Sequence, residues 1–353
     1  MSHKKLSVQE KRYAINRIFS VIRIRCLLFL KVLLANLRFT NVLGGVWRER
    51  FKRTRRDFLK SEPLFLPSRQ WYIISLFYRL VLRGLGFAGF KTTFGRFLAA
   101  YEPGNPRLFE ALHHLYASAL ERRDVWGLLK TIQEPLLGDG DYVVDRGRRL
   151  SIDLLQSVDE FYRLQETLNF KKEDPVVFCE LGSGYGRLAE VVMTAMPNAT
   201  YLIFDLPEQL ILSQYYLSTL HPKRKAAFYP ESLELTGSRE KLANYRLVFG
   251  LPPQLRELPK GYVDVFINIY SFMEMSAQQV SGYFDIIEQL QPGALYLKQH
   301  KHELNLLDQA VHTDENYPIR PSWNRIYQGT STLFEHVFEA VYRIDKDRQR
   351  PGV

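Results

Sequence analysis

Cysteine is nearly absent from this chain: its 353 residues hold two, Cys26 and Cys179. They lie far apart and match no metal-ligand spacing, so neither a disulfide framework nor a cysteine zinc site is expected. Cys179 falls in an apolar run, where a small buried thiol is the usual reading. The two together point to a reducing, cytoplasmic setting. Also missing is an uncharged apolar stretch of the roughly 18–20 residues that a spanning helix needs. The most apolar segment, residues 26–35, is interrupted by Lys31. That charge, and the want of a small-residue cleavage site after it, argue against a signal peptide. There is no internal repeat and no low-complexity tract. No basic–aromatic signature of a nucleic-acid-binding fold is present, so no nucleic-acid partner is expected.

Acidic residues are scarce at one end only. Residues 1–60 contain 16 of the 48 Lys and Arg but only Glu10, Glu49 and Asp57 as acids, a net +13 that leaves the remainder near −3. A helical pattern over residues 13–37, apolar nearly all round and marked by Arg17, Lys31 and Arg38, fits an amphipathic helix lying on a membrane. Residues 13–60 are therefore expected to meet an anionic membrane surface, the alternatives being a merely solvated basic face or a nucleic acid. A second apolar segment, residues 71–90, carries Arg79 and Arg83 one turn apart and either extends that surface or caps the body.

Further along, Pro103, Gly104 and Pro106 precede a helical stretch over residues 108–133, and residues 138–141 read as an irregular loop. Residues 151–168 form another helix, with apolar Leu154, Leu155, Val158, Phe161, Tyr162 and Leu164. After Lys171-Lys172 strands and helices alternate. Strands are predicted at 176–181, 201–204, 246–249, 263–269 and 294–298. Helices are predicted at 188–196, 208–220 and 277–290, and residues 325–327 with 334–344 close the chain as a hairpin. This alternation implies an α/β fold, a doubly wound, mostly parallel, Rossmann-like sheet with helices on both faces and a helical N-terminal extension. The expected organisation is a basic helical arm (1–60), a helical lid or pre-domain (61–165) and a ligand-binding sheet domain (166–353).

Chemistry concentrates in Phe178-Cys179-Glu180-Leu181-Gly182-Ser183-Gly184-Tyr185-Gly186-Arg187, between a predicted strand and helix. A dinucleotide fingerprint reads G-x-G-x-x-G. Here the glycines fall at 182, 184 and 186, and Arg187 stands in the place of the last glycine. Such a loop lets the backbone approach an adenosyl ligand, and the following helix N-terminus favours a carboxylate. Asp205 ends the next predicted strand, 25 residues after Glu180, where it can accept hydrogen bonds from ribose hydroxyls. The pair points to S-adenosylmethionine as cofactor. Glu180, Gly182, Ser183, Gly184 and Gly186 would cradle it, with Asp205 and Leu206 at the ribose; the bland alternative is a tight turn with a surface Asp.

The segments ELGSGYGRLAE (180–190), DLPEQLILSQYYLS (205–218) and NIYSFMEM (268–275), with EPLLG (134–138) and residues 151–161 upstream, resemble the sugar O-methyltransferase family of bacterial surface-polysaccharide clusters. The resemblance spans about residues 130–345; its glycine loop and DLP element are common to many class I methyltransferases. It implies transfer of a methyl group from S-adenosylmethionine to a hydroxyl of a sugar or glycan acceptor. Two rivals stay open: a methyltransferase acting on a phenol or polyketide, and a scaffold that binds the cofactor without turnover.

A sugar hydroxyl needs a general base, which in a doubly wound sheet should project from the carboxyl ends of the strands. His300 and Glu274 follow predicted strands and are the catalytic candidates. His300 could equally be a surface residue, and Glu274 a carboxylate at a helix start. His302 and Glu303 beside His300 raise a metal as an option, but no Asp pair supports one and none is expected. Tyr215 or Tyr216 could stack on a ligand, although at least one should be core. Trp323, in the Pro-rich loop 317–323, is a candidate sugar platform.

Overall fold

A computed structural model describes residues 43–93 and 106–344. The expected amphipathic helix at 13–37 lies outside the described residues, as do the Pro/Gly break at 103–104 and the last nine residues. Among the described residues no helix is long and apolar enough to cross a membrane.

In chain order the first helices are α1 (Gly45–Phe58), α2 (Arg69–Leu85), α3 (Pro106–Glu121) and the single turn α4 (Leu128–Thr131). The helix expected over 108–133 therefore breaks at residues 122–127. Gly127, in the left-handed region at φ 66°, leads into α4. A hairpin of β1 (Val143–Asp145) and β2 (Arg148–Leu150) precedes α5 (Ile152–Leu168). Then come β3 (Val177–Leu181), α6 (Arg187–Ala195), β4 (Thr200–Phe204), α7 (Pro207–Leu220) and β5 (Ala226–Ala227). These lead to α8 (Arg239–Ala243), β6 (Leu247–Gly250), β7 (Val265–Ile269) and α9 (Ala277–Leu290). The chain closes with β8 (Ala294–His300), β9 (His302–Asn305), β10 (Ala310–Thr313), β11 (Asn324–Thr330) and β12 (Val337–Arg343).

The chain divides into two compact units. One contains residues 76–93, 106–114 and 134–151. Its β1–β2 hairpin is antiparallel, with Val143 opposite Leu150. There the buried Lys91 ammonium pairs with buried Glu134, which also accepts from Ser151 Oγ at 2.5 Å.

The other unit contains residues 45–75, 115–133 and 152–344 and holds the main sheet, in the order β11-β12-β8-β7-β3-β4-β6-β5. All pairs from β8 through β5 are parallel; β12 joins β8 antiparallel, and β11 joins β12. This is the doubly wound, Rossmann-like sheet with an antiparallel edge. The physical reason is legible in the strands: all five residues of β4 and of β7 are buried, as strands covered on both faces must be. Pro207 opens α7 at a position where a missing N–H costs nothing. Ser276 and Gln279 cap α9 reciprocally, each side chain taking the other's backbone N–H.

The two sheet faces differ in chemistry. Cys179, Leu181, Leu202, Phe204, Val248, Phe266, Leu295 and Leu297 pack against α9 in an apolar core. The opposite face holds a charged layer against α5 and α6. Lys298 lies between Glu160 and Glu339 at 3.0 and 3.1 Å, all three fully buried. Arg187 grips Glu160 through both guanidinium nitrogens, at 2.6 and 2.8 Å.

Candidate functional site

Sheet order reverses at β3: the chain runs from β3 to β4 on one side and reaches β7 on the other. Ligands of open α/β sheets bind at the carboxyl ends beside such a switch point. The glycine loop leaves β3 there. Gly182, Gly184 and Gly186 all have positive φ, at 79°, 60° and 90°, a conformation that side chains with a Cβ resist. A Cβ on Gly182 would stand 2.3 Å from Ser271 Oγ, so that glycine is required by close packing with the turn after β7. A Cβ on Gly184 would meet nothing within 4 Å, so that position faces open space. Ser183 is buried, yet its hydroxyl has no hydrogen-bond partner among the described residues.

Asp205, one residue beyond β4, closes the loop. Its Oδ2 accepts from Gly184 N at 2.9 Å and its Oδ1 from Leu206 N at 2.7 Å. A carboxylate has about four acceptor positions, so both oxygens keep capacity for a ligand hydroxyl. Burial pushes the Asp205 carboxyl up to about 8, against the lowering effect of the two backbone donors; Glu180 and Glu274 add repulsion. Glu180 lies within β3 and is buried. Tyr201 Oη donates to its carboxylate at 2.8 Å, and burial raises it to about 7. Its side chain shares the α5–α6 face of the sheet with Tyr201.

Glu274 follows β7 in a short 3-10 turn and receives Trp71 Nε1 at 2.6 Å. Burial raises it to about 7, the indole N–H pulls it back, and Glu303 pushes it up again. Trp71 belongs to a segment that crosses the carboxyl rim of the sheet. Arg55 lies 4.0 Å from Glu208 after β4, and Glu62 accepts from Arg256 after β6 at 2.8 and 2.9 Å. Gln279 donates to the carbonyls of Leu64 and Leu66, and Ser68 Oγ to the carbonyl of Glu274. Asp308, in the β9–β10 connection, accepts from the backbone N–H groups of Arg69 and Gln70. Charge dominates the sequence of this segment, and nothing in it signals that it lines the crevice.

His300 ends β8. Its Nδ1 lies 2.6 Å from Glu303 Oε2, and its ring meets Tyr270 edge-on at 5.7 Å and His336 at 5.0 Å. Glu303 is held below the usual carboxylate range, chiefly by that hydrogen bond. His302 is exposed at the start of β9 and adds a smaller lowering effect on Glu303. Among the described residues no group of three or more His, Cys, Asp or Glu is arranged to hold a metal.

One aromatic expectation is corrected and another is met. Trp323 is buried and stacked on Phe284 at 5.7 Å, so it belongs to the core and offers no face to a sugar. Tyr216 is core, as expected of one of the pair, edge-on to Tyr185 of the glycine loop, while half-buried Tyr215 meets Trp47 of α1 edge-on at 5.7 Å. The basic arm is also partly spoken for. Arg50 donates to Tyr229 O and Glu231 and lies over Phe228, whereas Lys52, Arg53, Arg56 and Lys60 are exposed.

No family model matches the chain, and no curated protein matches it. Among solved structures it is similar to the pyocyanin biosynthetic protein PhzM, at 13% identity over 54% of this chain and 57% of that one, TM-score 0.36. It is also similar to magnesium protoporphyrin IX methyltransferase ChlM from Synechocystis PCC 6803 with bound SAH, at 14% identity over 67% and 99%, TM-score 0.39. A third is the mitomycin 7-O-methyltransferase MmcR, at 12% identity over 77% and 84%, TM-score 0.37.

Proposed function

We propose that this chain is an S-adenosylmethionine-dependent methyltransferase that methylates a hydroxyl of a sugar, in surface-glycan assembly. One observation carries the cofactor. At the switch point Asp205 and Glu274 are raised by burial, and among the described residues neither has a cationic side chain paired with it. A crevice with unpaired buried acids suits a positively charged ligand, and S-adenosylmethionine brings a sulfonium and an ammonium. The open side of Gly184 and the partnerless Ser183 hydroxyl fit the same ligand, leaving room and a donor where its polar groups would come close. Asp205 and Leu206 would hold its ribose, and Gly182, Gly184 and Gly186 its methionine portion; Glu180 acts from beneath, by charge.

When bound, S-adenosylmethionine supplies a methyl carbon on a cationic sulfur, open to in-line displacement. The chain's part is to position an acceptor oxygen, exclude water and take its proton. His300 is assigned as base. With Nδ1–H donating to Glu303, the Nε2 lone pair is free to accept a proton, and Glu303 stabilises the resulting imidazolium. Glu274 serves as the second acidic group at the acceptor side. The sugar comes from the resemblance of residues 130–345; a hydroxyl acceptor is what the His300–Glu303 pair favours. We further place the protein at the inner face of the membrane, with residues 13–60 on anionic lipid. The exposed cations of α1 support this, and flotation with anionic liposomes at low salt tests it.

The deciding experiment is titration calorimetry with S-adenosylmethionine, followed by radiolabelled methyl transfer to nucleotide-sugars, glycosides and phenols. Asp205→Ala should weaken binding at least tenfold. His300→Ala should reduce turnover about 100-fold with affinity intact, the scale of a lost general base. Wild-type protein that does not bind the cofactor refutes the reading. Binding without transfer to any acceptor leaves the scaffold, and phenol-only transfer replaces the sugar.

A further inference from the structure

Tyr270 follows β7 and has φ 56°. The left-handed region is uncommon for any residue with a Cβ, and a bulky aromatic there is an outlier. Among the described residues the other non-glycine residues with positive φ are Asp139, Arg146, Asn169, Gln291 and Gln309, all polar and flexible types. Strain of this kind persists only where the surroundings over-determine it. They do so here. Tyr270 N donates to Lys298 O at 2.8 Å. Asn268, fully buried, donates to Leu181 O at 2.9 Å and accepts from Phe272 N at 2.9 Å and Gln299 Nε2 at 2.7 Å. The next residue, Ser271, lies against Gly182. The turn is thus clamped between the glycine loop and β8.

The side chain that this clamp presents is half-buried, with its ring edge-on to His300 at 5.7 Å. Among the described residues its hydroxyl has no hydrogen-bond partner, whereas Tyr185 is committed to Asp153 and Tyr201 to Glu180; Tyr296, also without a partner, is fully buried in β8, while Tyr270 is half-buried beside His300. Burial keeps the Tyr270 phenol protonated, pushed up to about 12 even with Lys298 nearby, so it remains a donor across the working pH range. A strained backbone, a fixed ring beside the proposed base and an unspent hydroxyl make a poor structural device and a good ligand contact.

We propose that the Tyr270 hydroxyl binds the acceptor, donating a hydrogen bond to a second oxygen next to the hydroxyl that His300 deprotonates, so that the site selects an acceptor with neighbouring oxygens, such as a sugar diol. This rests on the methyltransferase reading and adds a specificity residue to it. A site built to hydrogen-bond a substrate hydroxyl discriminates strongly against the analogue lacking it, because a buried partner is then left unpaired.

The test compares wild type with Tyr270→Phe, using methyl hexosides and their monodeoxy analogues as acceptors. Cofactor affinity and melting temperature are measured on the same preparations. The expected result is a kcat/KM for the full glycoside at least tenfold lower in Tyr270→Phe, and a wild-type preference over the deoxy analogue that the variant loses. Cofactor affinity and melting temperature should be unchanged. Equal kcat/KM in the two proteins overturns the inference, as does a parallel loss of stability and cofactor affinity, which would make Tyr270 a packing residue. Failure of the wild type to bind S-adenosylmethionine instead overturns the methyltransferase reading.

Discussion

Substituting Gly184 and Gly182 separately distinguishes a ligand-binding loop from a tight turn. Both residues have positive φ, so alanine at either carries the left-handed penalty of about 1–2 kcal/mol. They differ in what the new methyl meets. At Gly182 it would stand 2.3 Å from Ser271 Oγ and 2.5 Å from Ser271 Cβ, so the turn after β7 must move. Overpacking of that kind adds about 1–3 kcal/mol, for a total of about 2–5. At Gly184 nothing lies within 4 Å, and the loss should stay near 1–2 kcal/mol. With a shift of roughly 2–4 °C per kcal/mol for a domain of this size, Gly184→Ala should melt about 2–8 °C lower and remain folded. Its methyl would occupy the space through which a ligand reaches the loop. Cofactor affinity measured by calorimetry should then fall at least tenfold, about 1.4 kcal/mol, on protein that is more than 95% folded at about 25 °C. If Gly184→Ala binds S-adenosylmethionine with wild-type affinity, the loop is only a turn and its role in holding the cofactor fails.

Three further outcomes follow from the same geometry. Asp205, Glu180 and Glu274 all have folded pKa values above their ordinary ones, about 8, 7 and 7, chiefly through burial. Their contribution to ligand-free stability is therefore complete below about pH 4 and is lost as pH rises to about 8; melting scans should show stability falling across that window, and a cationic ligand should raise the melting point more at about pH 8 than at about pH 6. Glu160→Gln should cost about 3–5 kcal/mol in denaturant unfolding, because Arg187 loses its buried counter-charge and Lys298 one of its two; a loss under 1 kcal/mol would show that the layer is not tightly paired. Trp71→Phe removes the donor to Glu274 and should raise that carboxyl further, moving the acidic limb of the pH–rate profile upward; an unmoved profile would take Glu274 out of the reaction.

The strands and helices of the sheet were readable because burial on both faces writes itself as continuous apolar runs. Residues 176–181, 201–204 and 277–290 match β3, β4 and α9 to within a residue. Short elements carry no such signature. Arg148–Leu150 and His302–Asn305 form strands, yet the polar sequences RRL and HELN contain neither a run nor a period long enough to register. In the site, Gly182, Gly184 and Asp205 were legible from spacing, and Asp205 does reach the loop, at Gly184 N. Trp71 and Tyr270 were not. Trp71 touches Glu274 at a sequence separation of 203, a long-range contact that local pattern does not encode. The role of Tyr270 comes from its backbone dihedral and from a hydroxyl that lacks a partner, both properties of the folded chain.

Arg187 shows how a departure from a motif is compensated elsewhere in the fold. In a dinucleotide loop a glycine at its position would let helix and strand pack closely. Here a long cation opens α6 at a helix N-terminus, where positive charge is unfavourable. The guanidinium resolves the conflict by leaving the helix end for the layer beneath, where Glu160 accepts both nitrogens and Ser157 Oγ lies 2.9 Å from one of them. Burial pushes Glu160 up, but Arg187 and Lys298 pull it below the ordinary carboxylate range, so the charges persist in the interior. Tyr185 adds a second tie at the same end, donating to Asp153 at the start of α5 at 2.7 Å. The glycine loop is thereby anchored from below by α5, through charge and hydrogen bonds, while its upper side at Gly184 stays open. Rigid support on one side and free approach on the other is what a preorganised ligand loop requires, and it gives residues 151–168 a part in holding the loop.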